Sequence, residues 1–326
     1  MLLGVDGNSG KLLKKEFPEL TFLELPGYRI QYSKKKSNLK WSIFSQVPKI
    51  IYSIIKEHNW LKKQIELHNI DVVISDNRFG LYNKNITTIY ITHQLQIQTG
   101  SSFTDLIVQK LHYYFINKYS FCWIPDAKLK GLGGSLSHPK KLPQNSVYIG
   151  PVSRLFIKCV PHSYSILIIL SGPEPQRSIL ENILLVKTRD VTEKIMLIRG
   201  IPGNDLKPEN SNITVKDLVS SGELNELING SDLVICRSGY SSLMDLAKLN
   251  KNAIIIPTPG QTEQEYLGSY LMNHKMFYSI DQAKLNSDNR FIETIKEFEF
   301  CTLDYDWDNY KIIIKDLIKK LSLNTH

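Results

Sequence analysis

The residues best suited to chemistry lie between Ser231 and Tyr270, in the run SDLVICRSGYSSLMDLAKLNKNAIIIPTPGQTEQEYLGSY. A buried apolar strand ends at Cys236, and Arg237, Ser238, Gly239, Tyr240, Ser241 and Ser242 turn directly into a helix. A helix that starts so close to a strand end presents unpaired backbone N–H groups and a positive dipole end, which together attract an anion. Gly239 lets a ligand come near the backbone, and the hydroxyls of Ser241 and Ser242 either cap the helix or contact phosphate. One turn on, Asp245 offers a carboxylate able to accept two ribose hydroxyls. Capping and a dipole contact explain these residues equally well when they are taken alone. The balance moves because a second polar loop follows the next strand, Ala253–Ile256, and carries Gln261, Glu263, Gln264 and Glu265. Amides and carboxylates bunched in this way match the needs of sugar hydroxyls and a pyrophosphate.

A third loop, Ser171-Gly172-Pro173-Glu174-Pro175-Gln176-Arg177, follows the apolar run Ser165–Leu170. In a parallel α/β sheet such a loop commonly cradles a diphosphate, so Gly172 and Gln176 join the donor-side set and Arg177 supplies a planar charge. Arg199, just past the strand Ile195–Ile198, is counted with them. The loop lacks GxxxxGK[ST] and GxGxxG, which excludes a P-loop and disfavours a nicotinamide dinucleotide. In the first half, Asp76 and His93 each follow a buried strand and are the candidates for a general base. A loop-fixing hydrogen bond is the ordinary alternative for each.

The elements that must position these residues alternate in type. Short β-branched runs (Leu20–Leu25, Asp71–Ser75, Ile86–Thr92, Phe121–Ile124) are interleaved with helical stretches over Trp41–Glu66, interrupted near Pro48, and Phe103–Tyr119. The pattern restarts after a Pro-bearing stretch, with strands at Ser165–Leu170, Ile195–Ile198, Ile213–Val215, Leu233–Cys236 and Ala253–Ile256. Helices are expected at Ser178–Val186, Glu223–Asn229 and, amphipathically, Tyr310–Leu321. The reading is an α/β protein: residues 1–150 as one domain, 151–164 as linker and 165–326 as a second domain with a terminal helix. Two such parallel sheets facing a cleft would bind ligand at the carboxyl ends of their strands.

The 326 residues, 42% hydrophobic and 22% charged, suffice for two cores and exclude wholesale disorder. A net charge of +8 suits anionic partners, but no zinc-ligand spacing, RNP-like motif or recognition-helix pattern points to nucleic acid. The four cysteines never form CxxC and read as buried free thiols. With no apolar run of membrane-spanning length and no signal-peptide pattern, the expected location is cytoplasmic. Lys34, Lys35, Lys36 and Lys40, followed by Trp41, Ile43 and Phe44, offer contact with an anionic membrane at its inner face; a solvated loop ahead of a helix is the plainer reading.

The segment Asp232–Tyr270 resembles the C-terminal domain of glycosyltransferase family 28. The resemblance implies the two-lobed GT-B fold with Rossmann-like domains, a UDP-sugar donor, a glycan or lipid-linked acceptor, and no bound metal or other cofactor. Arg237, Ser238 and Gly239 match the family's strand–RSG–helix motif, Asp245 its ribose-binding acid, and Gln264 its sugar-reading glutamine. Glu265 stands where a second Gln is common, and Gly268 where a sugar-amide contact is expected. The activity implied is inverting hexosyl transfer, with a UDP-sugar epimerase or a binding subunit without full activity as alternatives. The first lobe of the family opens with a GxGH loop, whereas this chain opens with Met1-Leu2-Leu3-Gly4-Val5-Asp6-Gly7 and no nearby His. Those residues are read either as the lobe's opening strand and loop or, by preference, as its second strand with the start of the lobe absent, and the second reading leaves the family's usual base without a counterpart.

Overall fold

In the computed structural model, residues 1–7, 9–27, 39–97, 102–201, 211–288 and 290–323 are described. Lys34, Lys35 and Lys36, the centre of the expected membrane patch, lie outside them. The chain forms two compact units: one of residues 1–125 and 135–149, the other of 126–134 and 150–326. Residues 151–164, expected as a linker, therefore belong to the second unit, as does the short excursion 126–134.

Among the described residues every strand pairing is parallel. In the first unit β1 (Leu2–Val5) pairs with β2 (Thr21–Glu24) as a two-stranded sheet, separate from a four-stranded sheet of order β3-β4-β5-β6. Its strands are Val72–Asp76, Thr87–Ile91, Phe121–Ile124 and Ser146–Tyr148. Three helices, α1 (Ser9–Glu16), α2 (Leu39–His68) and α3 (Ser102–Ile116), complete this unit. The expected break at Pro48 is absent, because α2 runs through it as one 30-residue helix. A proline there costs one hydrogen bond and crowds the preceding turn, but neighbouring turns carry the helix past it.

One guanidinium ties the two sheets of this unit together. Arg78, just beyond β3, donates to the Glu57 carboxylate, to Pro26 O at 2.6 Å and to Asp6 Oδ2 at 3.4 Å. It thereby gathers the carboxyl ends of β1, β2 and β3. Glu57 is fully buried, and its second oxygen accepts from Gly80 N at 2.9 Å, so both lone-pair directions are used.

The second unit holds a six-stranded sheet of order β12-β11-β10-β7-β8-β9. The strands are β7 (Tyr164–Ile169), β8 (Ile195–Ile198), β9 (Ile213–Lys216), β10 (Ser231–Cys236), β11 (Ala253–Ile255) and β12 (Tyr278–Ser279). Ile166, Ile168, Ile195, Leu197, Ile235 and Ile254 fill its core. Runs this apolar reflect a sheet covered by helices on both faces. The helices are α4 (Gln176–Lys187), α5 (Ser221–Asn229), α6 (Tyr240–Lys248), α7 (Thr262–Asn273), the short α8 (Gln282–Ser287) and α9 (Phe291–Lys296), and α10 (Asn309–Leu323). α10 forms as expected, but none of its residues is buried: Ile312 and Ile318 stay exposed.

The chain leaves β7 toward β8 and β9 on one side, then returns to lay β10, β11 and β12 on the other. Loops after β7 and β10 therefore diverge from adjacent strands, and a crevice opens between them. This is the topological switch point at which parallel α/β sheets bind ligands.

His112 tests the packing of the first unit. Neither ring nitrogen has a hydrogen-bond partner, the ring lies edge-on to Phe79 and Tyr90, and burial pushes its pKa from 6.5 down to about 4. The unfolded chain binds this proton more readily, so stability is retained above pH 6.5 and lost as pH falls toward 4. Denaturant titration should show a loss of about 3 kcal/mol from this residue across that interval. His112→Phe should flatten that part of the profile.

Candidate functional site

Arg237 sets the floor of the crevice. Its side chain is fully buried and donates to Ile256 O (3.4 Å), Pro257 O (3.2 Å), Gln176 O (2.7 Å) and Gln282 Oε1 (2.8 Å). These acceptors come from the loops after β11, before α4 and in α8, so one side chain locks three loops around β10. Burial lowers its pKa to about 10, which leaves it cationic at neutral pH. Its partners are carbonyl and amide dipoles and none carries a full negative charge, so the floor keeps a net positive charge. Gln176, expected as a ligand contact, meets Arg237 through its carbonyl and Gln282 through its side chain at 3.3 Å.

The three helix N-termini around the crevice differ in how far the protein neutralises them. At α4, the Glu174 carboxylate accepts from Ser178 N (3.2 Å) and Arg177 Nε (2.7 Å), and Arg177 holds its pKa below the usual carboxylate range. At α7, Glu263 and Glu265 lie in the first turn. At α6 there is no acidic residue in the first turn and no side-chain cap, with Gly239 at the capping position. A Cβ built on Gly239 meets nothing within 4 Å, so the backbone here is open to a ligand. Ser241 is exposed and Ser242 half-buried at the same turn. Of the three ends, α6 keeps the strongest claim on an anion.

Arg177 and Arg199 need correction as donor-side cations. Arg177 is buried and bonded to Glu174, Glu181, Ser178 and Arg199 O. Arg199 donates to Glu181 at 2.5 Å and Asp217 at 3.0 Å, which raises its own pKa. Three carboxylates absorb both charges. Gly172, with φ of +101° and open space around it, remains an exposed part of the loop after β7.

The loop after β11 is fastened to its neighbours from within. Gln264 Oε1 accepts from Thr258 N at 2.9 Å, its carbonyl accepts from the buried Ser238 hydroxyl at 3.0 Å, and Glu265 Oε1 accepts from Gly260 N at 2.8 Å. Gln264 and Glu265 thus hold the loop that carries them, while Gln261 stands exposed at the α7 capping position. Gly268, expected at a sugar contact, instead faces inward: an added Cβ would lie 2.7 Å from Pro257 and from the Ser279 hydroxyl. It is there to let α7 pack closely.

Asp245 is half-buried on α6, and its Oδ1 accepts a 2.6 Å hydrogen bond from Ser153. Burial raises its pKa, while the Ser153 bond and the Arg154 charge oppose the rise. The Ser153 hydroxyl also accepts from Leu155 N at 3.0 Å, so its direction is fixed. Ser153, Gln282 and Asp126 were missed by sequence reasoning. Asp126 is fully buried and takes backbone N–H groups from Ala127, Leu132 and Gly133 at 2.8 to 3.0 Å, with the buried Tyr240 phenol alongside. Their partners are remote in sequence, and no local pattern announces them.

In the first unit, Asp76 ends β3 in register with Ile91 of β4, two residues before His93. The structure brings the two base candidates to one sheet edge. Burial raises the Asp76 pKa and the nearby His93 charge lowers it. Among the described residues, no group of three His, Cys, Asp or Glu side chains is placed to hold a metal ion. No helix among them is long and apolar enough to cross a membrane.

Residues 166–304 match the family model for the glycosyltransferase family 28 C-terminal domain. A 99-residue segment is 28% identical to the UDP-N-acetylglucosamine–N-acetylmuramyl-(pentapeptide) pyrophosphoryl-undecaprenol N-acetylglucosamine transferase of Pasteurella multocida, covering 30% of this chain and 27% of that enzyme. The kitacinnamycin glycotransferase superposes with a TM-score of 0.60 at 12% identity, over 98% of this chain and 91% of its own. A Listeria monocytogenes protein assigned as a UDP-N-acetylglucosamine 2-epimerase superposes with a TM-score of 0.54 at 12% identity, over 96% and 94%. The fold is α/β of the GT-B type.

Arg237→Met should lower stability by about 3 kcal/mol, because the carbonyls of Gln176, Ile256 and Pro257 lose a buried donor. Arg237→Lys should recover only part of this, since one ammonium cannot span all three loops. Denaturant unfolding of the two variants measures both effects.

Proposed function

We propose that this protein, whose residues 166–304 match the family model for the glycosyltransferase family 28 C-terminal domain, transfers a hexose or N-acetylhexosamine from a UDP-sugar to an acceptor hydroxyl, with inversion. The carrying observation is the crevice at the switch point of the six-stranded sheet: an unneutralised α6 N-terminus above the Arg237 charge, with Asp245 one turn along the same helix. The diphosphate takes the backbone amides of the Gly239–Ser242 turn. The Ser153-oriented Asp245 carboxylate accepts the ribose hydroxyls. Gln261 and the remaining polar atoms of Gln264 and Glu265 face the donor sugar.

Bond breaking at the anomeric carbon leaves negative charge on the UDP oxygen. Fixed amides and the buried guanidinium stabilise that charge without reorganising, which is the main source of rate in this scheme. His93 accepts the proton of the acceptor hydroxyl, with Asp76 stabilising the imidazolium. A glycan or lipid-linked acceptor fits this chemistry. Peripheral contact with the inner face of a membrane belongs to the same proposal.

Calorimetric titration with UDP tests the donor site. Asp245→Asn should weaken binding about tenfold, the worth of a lost charge-assisted hydrogen bond. Equal affinity in wild type and variant, or no binding at millimolar UDP, overturns the reading. The affinity should fall as pH drops through the raised Asp245 pKa, and Ser153→Ala should move that fall to higher pH because it removes a bond that favours the carboxylate. His93→Gln should abolish transfer while UDP affinity stays unchanged.

The likeness to the Listeria protein assigned as a UDP-N-acetylglucosamine 2-epimerase favours one second reading, epimerisation of the UDP-sugar. It predicts a changed sugar in the NMR spectrum without any acceptor, and transfer predicts none.

A further inference from the structure

A second concave site lies in the first unit, at the opposite edge of its four-stranded sheet from Asp76 and His93. His58 and Lys62 of α2, Tyr82 to Asn85 ahead of β4, Tyr114 of α3, and Asn117 and Lys118 between α3 and β5 line an open hollow of about 790 Å³. That volume matches a ligand of nucleotide or disaccharide size and exceeds the needs of a bare ion.

The charge in the hollow is one-sided. Its lining holds three ammonium groups, those of Lys62, Lys84 and Lys118, and no carboxylate. None of the three forms a salt bridge among the described residues, whereas Lys158, Lys216, Lys275 and Lys311 each pair with an acid. Lys118 is held firmly: its Nζ donates to the Tyr82 hydroxyl at 3.2 Å and sits 4.7 and 4.4 Å from the Tyr82 and Tyr114 ring centroids. Aromatic faces fix the ammonium and do not neutralise it. The His58 ring stacks on Tyr82 at 4.2 Å, and the charges of Lys62 and Lys118 join burial in keeping it neutral. Like charges gathered in a concavity raise the local potential, and a multiply charged anion relieves it.

We propose that this hollow binds a phosphate-bearing anion, with Lys62, Lys84 and Lys118 as its cationic contacts and the side chains of Asn83, Asn85 and Asn117 as hydrogen-bonding rim. A soluble phosphate ester and the phosphate of a lipid headgroup share this chemistry. The site is independent of the donor crevice, which lies in the other unit.

The test uses the full chain and the Lys62→Gln/Lys84→Gln double variant, whose two side chains are exposed and spare the fold. Calorimetry with inorganic pyrophosphate should show about tenfold weaker binding in the double variant, with UDP affinity unchanged. The titration is repeated with the donor crevice saturated by UDP, so pyrophosphate binding that persists reports the hollow alone, and a failed donor site and a failed hollow give different results. A flotation assay with phosphatidylcholine vesicles, with and without phosphatidic acid, separates the sources. Binding that needs phosphatidic acid and is lost in the double variant assigns a lipid phosphate, and pyrophosphate sensitivity without vesicle binding assigns a soluble one. If the double variant matches wild type toward both pyrophosphate and vesicles, the proposal is overturned.

Discussion

A buried positive charge without a negative partner governs the second unit. Desolvating a guanidinium is costly, and the usual remedy is a carboxylate. Arg237 instead collects carbonyl and amide oxygens from three loops, so its solvation is the architecture of the crevice floor. Partial charges meet both of its terminal nitrogens, leave its buried Nε without a partner, and do not cancel its field. The contrast lies nearby: Arg177 and Arg199 share Glu174, Glu181 and Asp217 and present little net charge. Two arginine arrangements in one unit thus divide the work, one stiffening α4 and β8, the other holding a standing positive potential where two loops diverge.

The helix ends follow the same division. Acids near the starts of α4 and α7 complete those helices internally. α6 is left with open backbone at Gly239 and no acid of its own in the first turn, and its Asp245 is turned toward Ser153. An anion and a neutral diol fit such a helix at different heights, the first at its amides and the second at its carboxylate.

Much of this arrangement was legible in the sequence. Strands such as Phe121–Ile124 and Ile195–Ile198 stood out because buried parallel strands are continuous apolar runs between turn residues. The segment 166–304 matches the family that the RSG turn and the glutamine loop had indicated. Polar side chains were harder to place. Arg177 looked like a ligand contact because it sits past a strand end, yet Glu174 and Glu181 stand three and four residues from it on the same helical face, a spacing that favours an internal pair. Ser153 and Gln282 gave no comparable signal, since each gains its role only when distant segments meet. The exposed apolar residues of α10 show the opposite error: periodicity reports an amphipathic helix, not what covers it.

The excursion of residues 126–134 into the second unit has a consequence for how the chain divides. The backbone passes between the units at three places, near residues 125, 134 and 149. Gly131 O receives the Tyr270 hydroxyl at 2.9 Å, and Asp126 accompanies the buried Tyr240 at the first turn of α6. A fragment excised at residue 150 would therefore leave behind a plug that its own crevice helix rests on, and the Tyr240 phenol would be buried without its acceptor. The two units are separate as bodies but interwoven as chain, and neither can be inherited, swapped or shuffled as a single uninterrupted stretch.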